Sequence, residues 1–451
     1  VKHDVVILGA GPAGLGAGQR LRGDGRKSWK IFEASGRVGG LASSRLDKNG
    51  FTWDLGGHVL FSKNDFFNSL VKKTLGDEAL VHRRESYIKM NGRLVPFPLQ
   101  YNIHRLPQRV MEDCLAGLVQ VSRDGNGRAG PENFEQWIST RLGHGIAKHF
   151  MLPYNRKLWS YPLNDMGFGW VGERVALPPI AAVKRSIKTG KDQTGWGGNA
   201  DFRFPLRGGT GGLMNGFAKP FREKIALLHE AKKIDPKAKT ITFQNGKSAS
   251  YKKLITTIPL DHLIKNVLTN PPPGVMRAAD ELRYNSGWVV GIGINRKIQG
   301  GRCWVYFPDK SFPFYRVTYF SNYSPYNVPY PGSQSSFLCE TSFHPDEKVT
   351  GSSVLTKTID GLVRARFIRN KEVKNIVSQW KLRIPRLYPI PAKNRDAALK
   401  PITDYLKKHD IDSIGRFGGW RYEVGNVDHS FMAGHLAGGS PPGGRQITAK
   451  P

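Results

Sequence analysis

The stretch that most constrains this chain is Val5-Val6-Ile7-Leu8-Gly9-Ala10-Gly11-Pro12-Ala13-Gly14, close to its start. Four apolar residues without polar alternation read as a strand buried on both faces. They run straight into Gly-x-Gly-x-x-Gly, and a helical pattern follows from Ala13 to Leu21. That order makes a cradle for a dinucleotide diphosphate. Gly9 permits the tight turn, Gly11 lets backbone N–H groups approach the phosphates, and Gly14 lets the helix lie close on the sheet. The helix N-terminus, entered through Pro12 and Ala13, adds partial positive charge. A second strand, Trp29-Lys30-Ile31-Phe32, delivers Glu33 roughly twenty residues later, where a carboxylate accepts hydrogen bonds from an adenosine ribose. A bland glycine-rich loop would need none of these accompanying parts.

The segment Gly36-Arg37-Val38-Gly39-Gly40 narrows the choice of dinucleotide. It resembles the Arg-x-Gly-Gly turn that lies along the cofactor in glutathione-reductase-like flavoproteins, a turn that simple nicotinamide dehydrogenases lack. The resemblance points to FAD; the competing reading is a second surface turn.

A chain of 451 residues has room for two or three domains. Its 10 Trp, 15 Tyr and 23 Phe suggest an extended stacking surface. Three cysteines, Cys114, Cys303 and Cys339, are too few and too scattered for a disulfide framework or a zinc site. A reducing, cytoplasmic setting and no metal are therefore expected. No apolar run approaches the roughly 20 residues a membrane span needs, and a strand beginning next to Val1 leaves no room for a signal peptide ahead of it. The formal charge is +32, from 68 basic and 36 acidic residues. Such a field favours an anionic substrate, and equally loose binding to polyanions. The basic residues are spread rather than blocked, so no specific nucleic-acid motif emerges.

After Gly40, the run Asp54-Leu55-Gly56-Gly57-His58 sets two adjacent glycines where backbone can approach a flat ring. On its own, His58 reads equally as a satisfied core residue. A helix is predicted from Asn64 to Leu75, then a hairpin of Ser86–Met90 and Arg93–Phe97 around Asn91-Gly92. Helical spacing follows at 107–121, 131–141 and 146–152. The aromatic stretches 153–159 and 170–175 lie in or beside this insertion, where Arg174 could fork onto phosphate or form a surface pair with Glu173. The glycine-rich run 207–212 suggests a second approach to the cofactor, ahead of a helix near 213–223. A hairpin at Asn245-Gly246 leads to a strand at 254–258 that re-enters the nucleotide-binding sheet. Short β-rich runs at 288–295, 303–307, 315–320 and 336–342 predict an antiparallel sheet. Helices are predicted near 353–367 and 396–408, and a flexible Gly-Pro tail is expected after Met432.

Longer segments carry a more specific resemblance. DLGGHVLFS at 54–62, PYN at 153–155, GERVA at 172–176, FRFP with RGGTGG at 202–212, PFYR at 313–316, SNYSPYN at 321–327 and RYEVGN with DHSFM near 421–432 are similar to eukaryotic-type UDP-galactopyranose mutase. The similarity is colinear from Val5 to about Met432. It implies a flavin-dependent isomerase that interconverts UDP-galactopyranose and UDP-galactofuranose, with N5 of reduced FAD attacking the anomeric carbon and UDP leaving and returning. NADPH is the implied reductant.

The resemblance also implies site residues. Arg174 and Arg316 match the arginines that hold the diphosphate, and Tyr323, Tyr388 and Tyr422 match tyrosines that donate to it. Phe97, Gln100, Asn155 and Trp159 match the uridine pocket. Trp304 and Tyr306 match the wall beside the sugar, with Phe61, Asn199 and Asn426 as nearby contacts. His58 matches the histidine at the flavin, and Arg84 an arginine near the isoalloxazine. Ala34, Leu41, Arg416, Gly425 and Asn426 complete the cofactor set with Gly9, Gly11, Pro12, Ala13, Gly14, Glu33, Gly39, Gly40, Gly56 and Gly57. His58, Arg174, Arg316, Tyr422 and Asn426 form the implied catalytic group.

Three departures stand out. Phe97 replaces a usual Tyr, Lys63 replaces a usual His, and His435-Leu436 with a Gly-Pro tail replaces an acidic helical stretch that covers the FAD. The expected fold is α/β, with a Rossmann-type FAD-binding domain (1–85, 200–265, 395–451), a helical subdomain (100–199) and an antiparallel β-sheet subdomain (86–99, 266–394). Two other functions share that fold: an amine-oxidase or desaturase-type oxidoreductase, and a polyanion-binding protein on a flavin scaffold. Oligomeric state is open.

Overall fold

The computed structural model describes residues 2–124 and 130–439. Strand Lys2–Leu8 lies inside a seven-stranded sheet, flanked in parallel by Trp29–Phe32 and Ser248–Thr256. Val6 faces Lys30 on one side and Leu254 on the other. Helices cover both faces of this sheet, so its central strand needs apolar side chains in both directions, as its sequence shows. One face packs Ala13, Leu15, Ala17 and Leu21 with Leu213, Phe217 and Phe431. The other packs Val6 and Leu254 with Leu263, Val275, Leu399 and Ile402. Helix Pro273–Asp280 thus joins the nucleotide-binding layer, although its sequence was expected to begin the β-sheet subdomain; its apolar Val275, Ala278 and Ala279 find their cover there.

The first helix, Pro12–Gly23, is pressed from two sides. A Cβ on Gly14 would fall 1.8 Å from the carbonyl oxygen of Gly9, and one on Gly16 would fall 1.9 Å from that of Phe431. The second contact comes from helix Val427–Gly439, whose Gly434 lies equally close to Ala13. The tail expected from Met432 onward is therefore helical through Gly439. Its glycines are poor local signals for a helix, but together with the alanines they form a flat face on which another backbone can rest. The rest of the expected Gly-Pro tail lies outside the described residues.

The second sheet runs 376–389, 284–294, 335–343, 316–319, 304–306, 86–90 and 93–96. It is antiparallel except where Trp304–Tyr306 pairs in parallel with Ser86–Met90. Both Asn-Gly hairpins form, and at Asn91-Gly92 both residues take positive φ, as a two-residue primed turn requires. The sequence reading missed strand Ile376–Pro389. It is an edge strand carrying Lys381, Arg383, Pro385 and Arg386, residues that protect an edge and hide the strand signal.

Two helical predictions shift. Helices Gln108–Asp124 and Phe134–Ile146 form, but the latter continues through a π turn, Ala147–Met151, into Leu152–Trp159. The helix expected at 213–223 instead spans Gly209–Ala218. Its glycine-rich start is helical because Asp54 accepts hydrogen bonds from the Thr210 N–H and hydroxyl, the latter at 2.6 Å, and Ser44 Oγ accepts from the Gly211 N–H. The run 207–212 is thus a helix start held against Ser44 and Asp54. No helix among the described residues is long and apolar enough to cross a membrane.

Candidate functional site

The loops after the parallel strands meet at their C-terminal ends, where doubly wound sheets bind ligands. Gly9 has φ +99°, a conformation glycine adopts without penalty. Glu33 Oε2 accepts from the Ala10 N–H at 2.7 Å, and Oε1 accepts from the Ser35 N–H and hydroxyl at 2.8 Å each. The Gly39 N–H donates to the Ala10 carbonyl at 2.8 Å, and a Cβ on Gly40 would sit 3.2 Å from the Gly11 Cα. Residues 9–14, 33–35 and 39–41 therefore form one cradle, with Ala34 and Leu41 at its edges.

Gly56 and Gly57 extend this surface toward the second sheet. A Cβ on Gly57 would meet Thr318 Oγ1 at 2.7 Å and the Arg316 guanidinium at 3.3 Å. Arg316 and Glu340 are direct register partners on adjacent strands. The guanidinium grips Glu340 with two prongs, one from Nε and one from Nη2 at 2.8 Å. The Tyr315 hydroxyl donates to the same carboxylate at 3.1 Å and lies 3.3 Å from that of Tyr388. Burial works against a charged Arg316, but Glu340 more than offsets it and raises the arginine further above its ordinary value. The sequence reading missed Glu340 and Tyr315; only strand register brings Glu340 to Arg316.

His58 stands beside this charge cluster. Burial is the main cause that lowers its pKa to about 4, assisted by Arg416, with Glu340 acting in the opposite sense. The imidazole is therefore neutral at pH 7. Arg416 donates from Nε to the Gly425 carbonyl at 2.9 Å, and its guanidinium lies 5.6 Å from the Tyr388 ring. Asn426 is half-buried next to Gly425.

An aromatic wall completes the site. The rings of Trp159 and Tyr422 are 4.8 Å apart, those of Tyr388 and Tyr422 5.6 Å, and Trp170 packs on Trp159 at 5.1 Å. Tyr306 links Phe97 at 5.5 Å, Tyr154 at 5.5 Å and Trp304 at 6.4 Å. Asn155 is fixed inside this wall, donating to the Met151 carbonyl at 2.8 Å and accepting from Trp159 Nε1 at 3.1 Å. The π turn just before it sets which face of the helix these two residues present. Burial pushes the Tyr388 phenol up to about 12, so its hydroxyl keeps its proton.

The remaining predicted residues divide. Arg84 donates to the carbonyls of Thr194 and Trp196 and to Asn199 Oδ1, and lies 5.1 Å over the Phe97 ring. Phe61 lies beside Gly198 in the same loop. Arg174 donates to the carbonyls of Trp170 and Glu423 and stands 5.9 Å from the Tyr422 ring. The Tyr323 ring packs among Phe204, Phe202 and Phe320 at 5.2–5.9 Å, in an aromatic cluster against which Tyr306 and Tyr388 also pack.

Several buried polar atoms here have no protein partner: His58 Nδ1, Arg84 Nε, Gln100 Oε1 and Trp304 Nε1. Buried polar atoms are ordinarily satisfied, so orphans on residues of one site mark a surface built for a polar ligand. Together with the glycine cradle and Glu33, they fit a flavin dinucleotide and a polar second ligand.

Residues 12–397 match the family model of flavin containing amine oxidoreductases. The chain belongs to that family. A crystal structure of reduced UDP-galactopyranose mutase superposes on this flavoprotein with a TM-score of 0.92 and 41% identity, over 97% of this chain and 93% of the other. A CLA-producing fatty acid isomerase from P. acnes superposes with a TM-score of 0.62 at 14% identity, covering 96% of this chain and 97% of its own. Putrescine oxidase bound to putrescine gives 0.63 at 14%, over 97% and 98% of the two chains. At that identity only the fold is shared, and fold does not fix chemistry.

Proposed function

We propose that this flavoprotein is a UDP-galactopyranose mutase of the eukaryotic type, converting the pyranose and furanose forms of UDP-galactose into one another without net oxidation. The observation that carries the reading is the Arg316–Glu340 pair beside the Tyr388–Tyr422 wall: a fixed cation and two phenols where a diphosphate can rest. The 41% identity with the mutase supports it.

In this reading, residues 9–14, Glu33 and residues 39–41 hold FAD, which in its reduced state supplies the nucleophile for the anomeric carbon. Arg316 keeps its charge and orientation through Glu340, so it can stabilise the negative charge that gathers on the UDP diphosphate as the bond to the sugar breaks. Arg174 supports the same diphosphate, and the Tyr388 and Tyr422 hydroxyls donate to it. Phe97 stacks on uracil, Asn155 and Gln100 read its edge, and Trp159 backs the same pocket. Trp304 and Tyr306 wall the sugar, with Phe61, Asn199 and Asn426 at its rim. Neutral His58 places no extra cation at the flavin, and Arg84 and Arg416 provide the charge that favours a reduced cofactor. NADPH is the reductant and the cytoplasm the setting. Tyr323, in the aromatic cluster against which Tyr388 packs, is the third tyrosine of the diphosphate set.

Chromatography of the two UDP-galactose isomers, with and without a reductant, tests this. Reductant-dependent interconversion is expected. Oxygen consumption with an amine and no isomer exchange would replace the reading with an oxidase.

A further inference from the structure

The turn that carries Tyr422 is held by a set of charges that the proposed chemistry does not use. The Glu423 carboxylate receives two parallel hydrogen bonds from Arg395, Nη1 to Oε2 and Nη2 to Oε1, each 2.8 Å. The two side chains are only 9% and 15% exposed. Losing water there is costly, and only good geometry offsets it. Arg421 reaches both Glu423 and Asp396, at 3.5 Å and 3.3 Å, and Arg395 Nε donates to Asp396 at 3.2 Å. Two arginines and two carboxylates thus balance one another.

Arg395 is the first residue of helix Arg395–Lys408, whose Leu399 and Ile402 are anchored in the core of the first sheet. Glu423 lies in a short 3-10 turn, Tyr422–Val424, a conformation with poor hydrogen-bond geometry and little stability of its own. The ion pair therefore fixes the turn to a rigid element. Two groups depend on that turn. The Tyr422 ring sits against Trp159 and Tyr388, and the Glu423 main-chain carbonyl accepts from Arg174 Nη2. Arg174 also donates to the Trp170 carbonyl at 3.2 Å.

We propose that Arg395 and Glu423 are a positioning pair, which sets the Tyr422 hydroxyl and the Arg174 guanidinium for the diphosphate of a UDP-sugar. This rests on the mutase reading. Neither residue touches the substrate; both act through the turn.

The test uses the FAD-loaded protein with Glu423→Gln, which preserves shape, and Arg395→Lys, which preserves charge but not the two-pronged geometry. The Kd for UDP and the KM for the UDP-sugar should rise together by about tenfold, with flavin content nearly unchanged. In an Arg174→Ala/Tyr422→Phe background the same substitutions should have almost no further effect. Native UDP affinity in both single variants, or an undiminished effect in that background, would overturn the proposal. A native protein that binds no UDP would defeat the mutase reading, and this inference with it.

Discussion

The contact between the first helix and helix 427–439 yields a sharp prediction about one methyl group. A Cβ on Gly434 would lie 1.7 Å from the Ala13 carbonyl oxygen and 2.7 Å from its carbonyl carbon. That is about 1.5 Å inside a normal van der Waals separation. No rotamer can relieve it, because both sides are backbone. The first helix cannot retreat, since Gly14 already rests on the Gly9 carbonyl, so helix 427–439 must move outward. Phe431, which is fully buried, then loses much of its packing. Overpacking of this kind costs about 3 kcal/mol at the upper end of the usual range, and the better helix propensity of alanine returns about 1 kcal/mol. Gly434→Ala should therefore destabilise the protein by about 2 kcal/mol. Gly23, at the other end of the first helix, has nothing within 4 Å of its would-be Cβ. Gly23→Ala should stabilise by about 0.5 kcal/mol. Urea midpoints of the two variants, followed by tryptophan fluorescence, compare one chemical change in two settings. A Gly434→Ala protein as stable as Gly23→Ala would refute the backbone-contact argument.

Arg316→Lys keeps a cation but loses the two-pronged match to Glu340; kcat should fall at least about thirtyfold, within the roughly 2–4 kcal/mol that a misplaced transition-state donor costs, as read by isomer chromatography. His58 binds its proton with a pKa near 4 in the fold and 6.5 as the ordinary value. The unfolded chain therefore takes up the proton first, and stability present above pH 6.5 is lost as pH falls toward 4, by up to about 1.4 kcal/mol per unit. His58→Asn should remove that slope from urea unfolding, and an unchanged slope would show that another group is responsible. Asn155→Ala leaves the buried Trp159 Nε1 without its acceptor and should cost about 1–3 kcal/mol, measured as a shift in unfolding midpoint.

Local chemistry decided what the sequence could reveal by itself. The nucleotide cradle is legible because its glycines, its strand and Glu33 lie within one short βαβ unit, and each is required by backbone geometry that neighbouring residues impose. The Asn-Gly hairpins are legible for the same reason, since a two-residue turn with positive φ leaves few other choices. Arg316 drew attention only through family resemblance, and its partner Glu340 did not, because the pair is made by strand register and not by spacing along the chain. Strand 376–389 escaped because edge strands are built to look unlike strands. The glycines and alanines of 433–439 read as a tail because their value lies in what they let approach: a helix backbone folded back from the other end of the described chain. Propensity is a property of a residue and its neighbours; the two-pronged ion pairs at Arg316 and Arg395, and the helix pressed onto Ala13, exist only once distant segments have met and water has been excluded between them.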